Sequence, residues 1–325
     1  MTAVRLSAAA GSLLGIFILI LDSKTALSGA VEGITLCIQT VIPALFPFFI
    51  CSSVLTISTL GTGIKLLEPF RKLFSLPMGT GSLLIPAFFG GYPVGAQCVA
   101  DAWRGGQLSK EDSERMLGFC SNAGPSFLFG IIGHMFPQRH IPWLLWGIHI
   151  LSAWMVSRIY PPKNKKAVIT GSDRSFGQVM YASVKTMGTV CGWIVLFRIV
   201  IAFLNRWFMW LIPPNLQVLI TGILELANGC SDLYRIPNPS VRFLICSIML
   251  SLGGICVTLQ TLSVTHGLSI KIYCRGKGLQ CLFSMLLSVG IVYNLWALPL
   301  GLILFFCYFS GKTKNTGSNP KKAVV

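Results

Sequence analysis

Acidic residues are scarce in this sequence. The 325 residues include only 10 Asp and Glu against 26 Lys and Arg, and charged residues make up 11% of the chain. A soluble domain averages about 25% charged residues, so this chain has too few of them to build a water-facing surface. The few carboxylates also include no pair placed for acid–base catalysis.

Motifs that mark enzymes and metal sites are missing as well. The sequence has no HExxH, no GxxxxGK[ST] and no GxSxG motif, so we predict that the protein is not an enzyme. The 11 cysteines form no CxxC pair and lie mostly in apolar blocks, where Cys acts as a small hydrophobe. We therefore predict no disulfide framework, no metal site and no cofactor.

Hydrophobic residues are abundant instead. They account for 53% of the chain, the mean hydropathy is +0.71, and they occur in long blocks between short basic stretches. A bilayer core of ~30 Å needs ~20 apolar residues per helical crossing, and several blocks reach that length. The formal charge of +16 fits basic loops held on the cytoplasmic side better than it fits nucleic-acid binding. Part of that charge would also attract an anionic substrate.

A polar linker divides the apolar blocks into two halves. The predicted division is an N-terminal transmembrane helix (1–33), a first repeat (34–160), a basic linker (161–178), a second repeat with the last helix (179–309) and a basic tail (310–325). Ala26-Leu27-Ser28 resembles a signal-peptide cleavage site. The many later spans favour an uncleaved first helix, but cleavage of this segment stays an open alternative.

Five of the apolar blocks are predicted to be transmembrane spans, and four further blocks are interrupted. Spans are predicted at 6–21, 34–57 (kinked by Pro43 and Pro47), 141–160, 180–204 and 279–309. Gly90-Gly91-Tyr92-Pro93 divides 78–102 into two arms of half a bilayer each, which predicts a re-entrant hairpin. A second hairpin is predicted at 210–229, around GILELANG.

The other two interruptions break spans near their middle. They are Ser121–Ser126 within 116–136 and Ser251–Gly254 within 243–264. Pro125 is expected to begin the second half of the first broken span, with Asn122 or Ser121 as its N-cap.

The two halves repeat the order of span, hairpin, polar stretch and broken span. Gly91 and Asn122 are separated by as many residues as Gly222 and Gly253. Three crossings between the hairpins turn the second repeat upside down, and inverted repeats with broken helices are typical of secondary transporters. We therefore predict an all-α polytopic membrane protein with an inverted repeat, two re-entrant helical hairpins and two broken transmembrane helices.

The basic residues fit this topology in part. With the N-terminus inside, the basic loops fall inside, including a loop that carries Lys271, Arg275 and Lys277. A single crossing at 279–309 would place the basic tail outside, and this stretch is short for two crossings. The side of the C-terminus is therefore left open.

Four sequence blocks resemble a known family. VIPALFPFFICSSVL, GGYPVGAQ, SERMLGFCSNAGPSFLFG and GILELANG resemble the sporulation integral membrane protein YlbJ family. That family belongs to the nucleoside recognition (Gate domain) group, which is similar to concentrative nucleoside transporters. The resemblance implies a role in spore formation, in a membrane that surrounds the forespore. It also implies movement of a small polar metabolite across that membrane, with dipicolinate as the leading candidate.

The interruptions supply the candidate substrate-binding residues, because half-helix N-termini offer free N–H groups and partial positive charge to an anion. These candidates are Gly90, Gly91, Tyr92, Pro93, Gln97, Ser121, Asn122, Gly124, Ser126, Glu225, Asn228, Ser251, Gly253, Gly254, Thr258 and Gln260. The alternative for each is a structural role in a kink or in close helix packing. A carboxylate at membrane depth is a functional candidate by default, so Glu225 is a candidate site for a coupling H⁺ or Na⁺. Arg198 is expected to pair with Glu225, to face an anionic substrate or to extend to the interface.

The function predicted from these features is transport of a small polar, anionic metabolite by alternating access. A nucleoside transporter and a non-transporting membrane scaffold for sporulation proteins are the alternatives. The expected partners are the lipid bilayer and a small-molecule substrate, without nucleic acid. Assembly as a homo-oligomer, or with other sporulation membrane proteins, stays open.

Overall fold

The chain is helical throughout the part that its computed structural model describes, which is residues 3–59, 65–160, 162 and 175–315. Those residues contain no β-strand. Most of the predicted basic linker at 161–178 lies outside the described residues, and so does 316–325 at the end of the basic tail.

The helices differ widely in length along the chain. In chain order, the α-helices of the described residues are α1 (Ala3–Leu21), α2 (Ser23–Leu36), α3 (Ile42–Thr59), α4 (Glu68–Leu73), α5 (Leu84–Phe89), α6 (Val94–Arg104), α7 (Lys110–Leu117), α8 (Pro125–Gly130), α9 (Ile141–Ile159), α10 (Phe176–Trp207), α11 (Pro214–Leu224), α12 (Leu226–Ser231), α13 (Pro239–Leu252), α14 (Gly254–Val264), α15 (Lys271–Val292) and α16 (Ala297–Asn315). Proline occupies the first turn of α8, α9, α11 and α13, where its missing N–H leaves no bond unmade.

Three helical segments of the described residues are long and apolar enough to cross a bilayer. They are Ser23–Leu55, Phe176–Trp207 and Pro239–Val264, with mean hydropathies of 2.0, 2.1 and 2.0. Large apolar side chains remain exposed on the outer helices, for example Ile20, Tyr181 and Leu304. An apolar outer surface of this kind suits lipid rather than water.

The first of these segments begins earlier than the sequence predicted. Ser23–Leu55 runs without interruption from α2 into α3, so the predicted start of a span at residue 34 is wrong. A π-helical turn at Cys37–Val41 joins the two helices. Proline has no N–H to donate and its ring clashes with a carbonyl one turn back. The wider turn directly ahead of Pro43 accommodates both effects.

Helix α15 lies at the centre of the packed region. It contacts α7, α9, α13 and α16, while α10 packs along α2, α3 and α14. Its buried side includes small and polar residues as well as apolar ones. Small residues let neighbouring backbones approach, and buried polar side chains bond across helices. The interior of this bundle is therefore partly polar.

The last apolar stretch forms two helices rather than one. Helix α15 begins at Lys271, ahead of the predicted start at 279, and a turn at 293–296 separates it from α16. Asn294 adopts a positive φ of 56° in that turn, a conformation that Asn tolerates better than most residues. The last apolar stretch at 279–309 is therefore divided between two helices, while the number of its crossings stays open. The loop predicted to carry Lys271, Arg275 and Lys277 is wrong, because all three residues belong to α15.

Each of the four interruptions predicted from the sequence is present as a break between helices. The breaks lie between α5 and α6, α7 and α8, α11 and α12, and α13 and α14. Gly253 and Gly254 adopt φ values of +74° and +83° at the last of them, which favour glycine because it has no Cβ. Pro125 begins α8 as predicted, but the N-cap is Gly124, without a side-chain bond. The predicted capping by Asn122 or Ser121 is wrong.

Candidate functional site

Three of the four helix breaks meet at one small cavity. Gly91 and Tyr92 line it from the first break, Gly124 from the second, and Glu225 from the third, with Gln260 of α14 beside them. Val41, Leu45, Val190 and Ile194 supply apolar wall from the π turn, α3 and α10. The cavity has a volume of about 60 Å³, which holds a few water molecules. Sites for drug-sized ligands measure roughly 300–1,000 Å³, so the cavity in this conformation is too small for such a ligand.

Close backbone contact joins the first two breaks. A Cβ on Gly124 would lie 2.8 Å from both the Gly91 nitrogen and the Phe89 oxygen. A Cβ on Gly95 would overlap the carbonyl oxygen of Cys120. Glycine is required at these positions because the two backbone segments touch. The turn between α5 and α6 therefore packs directly on the segment that leads into α8.

The other two breaks are joined in the same manner. A Cβ on Gly254 would lie 2.9 Å from the carbonyl oxygens of Gly222 and Ile223. A Cβ on Gly229 would lie 2.2 Å from the Cα of Gly222, and a Cβ on Gly222 would overlap the Met249 side chain of α13. The turn between α11 and α12 therefore packs on the break between α13 and α14, as its counterpart does in the first half.

Tyr92 connects the two pairs of breaks. Its hydroxyl donates a hydrogen bond of 2.8 Å to the carbonyl oxygen of Leu250, near the end of α13. A Cβ on Gly253 would lie 3.3 Å from the Tyr92 ring. Tyr92 is buried, so inside the bundle it holds the turn between α5 and α6 against the break between α13 and α14.

Glu225 is buried and fully hydrogen-bonded within its own turn. One carboxylate oxygen accepts the backbone N–H of Ala227 at 3.1 Å, and the other accepts the backbone and side-chain N–H groups of Asn228, each at 2.7 Å. The carboxylate is thus the N-cap of α12. Its position at the cavity leaves its predicted role in cation coupling open.

Arg198 does not pair with Glu225. Its guanidinium bonds the carboxylate of Glu32 in α2, with the Arg198 Nε at 2.9 Å from Oε2. The predicted pairing is wrong, because α2 packs along α10 and presents a nearer carboxylate.

The other predicted site residues do not line the cavity. Asn122 donates to the carbonyl oxygens of Phe119 and Ala87 at 2.7 and 3.2 Å. Ser251 and Thr258 donate within their own helices, to Ser247 and Gly254. The remaining candidates of this kind are Gly90, Pro93, Gln97, Ser121, Ser126, Asn228, Gly253 and Gly254.

Sequence reasoning missed Lys277, the central charged residue of this region. Its side chain is 4% exposed. It donates to the Ser121 carbonyl oxygen, to Gln280 Oε1 at 2.9 Å and to the Tyr92 hydroxyl at 3.3 Å. Gln280 in turn donates to Asn122 Oδ1 at 2.9 Å. A continuous buried polar network therefore runs from α5 through the second break and α15 to Tyr92.

A pattern in the sequence does point to this residue. Lys277, Gln280, Ser284 and Ser288 recur at helical spacing, and all four are buried on one side of α15. A polar stripe within an apolar segment indicates an internal polar site. Lys277 was predicted to lie in a loop and the other three residues in a span, so the stripe was not recognised.

Comparison with known proteins supports a membrane protein related to spore formation. No protein-family model matches the chain, and no solved structure matches it. The sequence is similar to the sporulation integral membrane protein YlbJ of Bacillus subtilis (strain 168), with 26% identity over 74% of this chain and 70% of that protein. The resemblance predicted from the four sequence blocks is thereby confirmed. Together with the apolar segments, it identifies the chain as an integral membrane protein similar to a sporulation protein.

Proposed function

We propose that the protein is a membrane permease that moves a small anionic metabolite by alternating access. The convergence of three helix breaks on one small cavity, with the fourth break packed against Tyr92 of the first, carries this proposal. Non-helical backbone at membrane depth is tolerated where it is buried in protein or lines a cavity. Secondary transporters place their substrates at such sites, between broken helices.

The proposal includes the symmetry predicted from the sequence. Helices α5 and α6 form one re-entrant hairpin, α11 and α12 form the other, and the two halves are related as inverted repeats. Each hairpin packs on its own broken helix through glycine contacts, which supports this arrangement. Movement of one hairpin against its broken helix would open the cavity to one side, and movement of the other would open it to the opposite side.

Dipicolinate is the leading candidate substrate. The similarity to a sporulation membrane protein supports a role in a membrane that surrounds the forespore. The net charge of +16 favours an anion. The cavity of about 60 Å³ is too small for such a molecule, so the proposal requires the hairpins to separate before it can enter.

Uptake into proteoliposomes tests this function. The purified protein is expected to accumulate labelled dipicolinate in a saturable manner under a H⁺ or Na⁺ gradient, and labelled uridine tests the nucleoside alternative. Glu225→Gln removes the buried charge and is expected to abolish the dependence on the gradient. Glu111→Gln, at an exposed position of α7, is the matched control and is expected to behave as wild type.

A scaffold gives a different set of results. If neither compound accumulates with the wild-type protein, while a stoichiometric protein partner is retained through purification, the transport proposal is wrong. Accumulation of uridine without dipicolinate would replace the proposed substrate and keep the mechanism.

A further inference from the structure

Lys277 is a buried basic residue to which the described part of the chain supplies no anionic partner. Its ammonium group has three N–H donors, and the three groups that accept them are a backbone carbonyl, an amide oxygen and the Tyr92 hydroxyl. None of the ion pairs among the described residues includes Lys277. A buried charge without a counter-charge is unfavourable, so its presence here calls for an anion that the protein itself does not supply.

Two further polar atoms in the same cluster have no partner among the described residues. They are Ser121 Oγ and His149 Nδ1, and both are buried. His149 Nε2 accepts the backbone N–H of Ala123 at 3.1 Å, so in the neutral ring the proton lies on Nδ1 and makes it a donor. Both residues adjoin Lys277: its ammonium group bonds the Ser121 carbonyl oxygen, and its partner Gln280 bonds the His149 carbonyl oxygen at 3.2 Å.

A carboxylate supplies what this cluster lacks. It carries one negative charge and two oxygen atoms that only accept hydrogen bonds, and its bonds to charged donors are short and strong. From these observations we propose that Lys277, Ser121 and His149 form a carboxylate-binding subsite, which Tyr92 closes off from the cavity. The proposal deepens the transport function proposed above and rests on it for the route by which the ligand arrives.

Tyr92 is placed to act as the gate. It lines the cavity, and its hydroxyl makes the longest of the three Lys277 contacts, at 3.3 Å. The same hydroxyl holds the Leu250 carbonyl oxygen at 2.8 Å. A carboxylate that displaces the Tyr92 hydroxyl replaces it as a partner of Lys277. The same displacement breaks the bond to Leu250 and so releases the turn between α5 and α6 from α13. Substrate binding is thereby coupled to the separation of the two halves.

Ligand binding to the full-length protein in nanodiscs tests the subsite. The probes are pyridine-2,6-dicarboxylate and benzoate, with benzamide as the uncharged match of benzoate. Wild type is expected to bind both carboxylates, and to bind benzamide at least tenfold more weakly than benzoate. Lys277→Met is expected to weaken carboxylate binding at least tenfold. Lys271→Met removes the same charge from an exposed position of the same helix and is expected to leave the affinity unchanged.

Two milder variants keep the test decisive if Lys277→Met does not fold. Ser121→Ala removes the unpaired hydroxyl and is expected to weaken binding severalfold. Tyr92→Phe removes the group that competes for Lys277 and is expected to tighten binding severalfold, whereas a purely structural role for Tyr92 would not strengthen it. Unchanged carboxylate affinity in both variants overturns the subsite.

The remaining outcomes separate the subsite from the transport function. Equal affinity of wild type for benzoate and benzamide, or no binding of either carboxylate, overturns the subsite. Uptake of dipicolinate that is unaffected by Lys277→Met overturns the subsite and leaves transport in place. Carboxylate binding that depends on Lys277, without any uptake by wild type, supports the subsite and contradicts transport.

Discussion

At the scale of single residues, glycine determines how closely the helices approach the polar network. Gly276 precedes Lys277 on α15, and a Cβ there would overlap the carbonyl oxygen of Gly118. This contact brings α15 against the segment that follows α7, so that Lys277 reaches the Ser121 carbonyl oxygen. Gly278 lies one position beyond Lys277 and has nothing within 4 Å of an added Cβ.

The pair Gly276 and Gly278 therefore gives a matched test. We expect Gly276→Ala to destabilise the protein by about 1–3 kcal/mol, because the added methyl group forces packed helices apart. Gly278→Ala is expected to be neutral or to stabilise by roughly 0.5–1 kcal/mol, since alanine favours the helix. Thermal unfolding in detergent measures both. An equal effect of the two substitutions would contradict the close crossing of α7 and α15.

At the scale of elements, Arg115 fastens α7 to its neighbours. Its guanidinium donates to the carbonyl oxygens of Tyr160, Ser157 and Phe74, and its side chain is buried. Two of these carbonyls belong to the C-terminal end of α9 and one to the loop after α4. A basic group near a helix C-terminus is favourable, because the last carbonyls there have no partner within the helix.

Removal of this guanidinium is expected to weaken the packing of α7 against α9 and the loop after α4. Arg115→Met keeps much of the side-chain volume but leaves three carbonyl groups unpaired, and we expect a loss of about 2–3 kcal/mol of stability. Lys110→Met removes a charge from an exposed position of α7 and serves as the control, with little expected change. The melting temperatures of the two variants, measured under the same conditions, test this prediction. Similar values would show that the Arg115 hydrogen bonds do not stabilise the packing of α7.

Also at this scale, sequence alone predicted where helices break but not how they end. Glycine, proline and serine clusters marked the four breaks, since these residues disfavour a continuous helix. The N-cap at Gly124 was missed, because Asn122 is drawn away to bond Ala87 and Gln280. These partners are distant in sequence and become neighbours only after packing. Lys277 was missed for a related reason, since its importance depends on burial by other helices.

At the scale of the whole molecule, the division of the last stretch into α15 and α16 changes the topology. An odd number of crossings left the basic tail on the opposite side from the other basic loops. If α15 and α16 each cross the bilayer, the additional crossing returns Lys312 and Lys314 to the same side as the N-terminus. This arrangement satisfies the preference for positive residues in cytoplasmic loops.

Reporter fusions test that topology. With α15 and α16 as separate crossings, a green fluorescent protein fused after residue 325 is expected to be fluorescent, because it lies in the cytoplasm. Alkaline phosphatase fused after Asn294, between the two helices, is expected to be active on the outside. The reverse pattern at both positions would show that the C-terminal helices do not cross separately.

The central claim is that the helix breaks enclose one substrate site that opens alternately to the two sides. Counterflow measures this property most directly. Proteoliposomes loaded with unlabelled dipicolinate are placed in a trace of labelled dipicolinate without any ion gradient. The account predicts that the label enters and transiently exceeds its equilibrium level, because a carrier exchanges one molecule for another. Label that only rises to equilibrium would indicate an open channel, and label that stays outside would indicate a scaffold; either result contradicts the account.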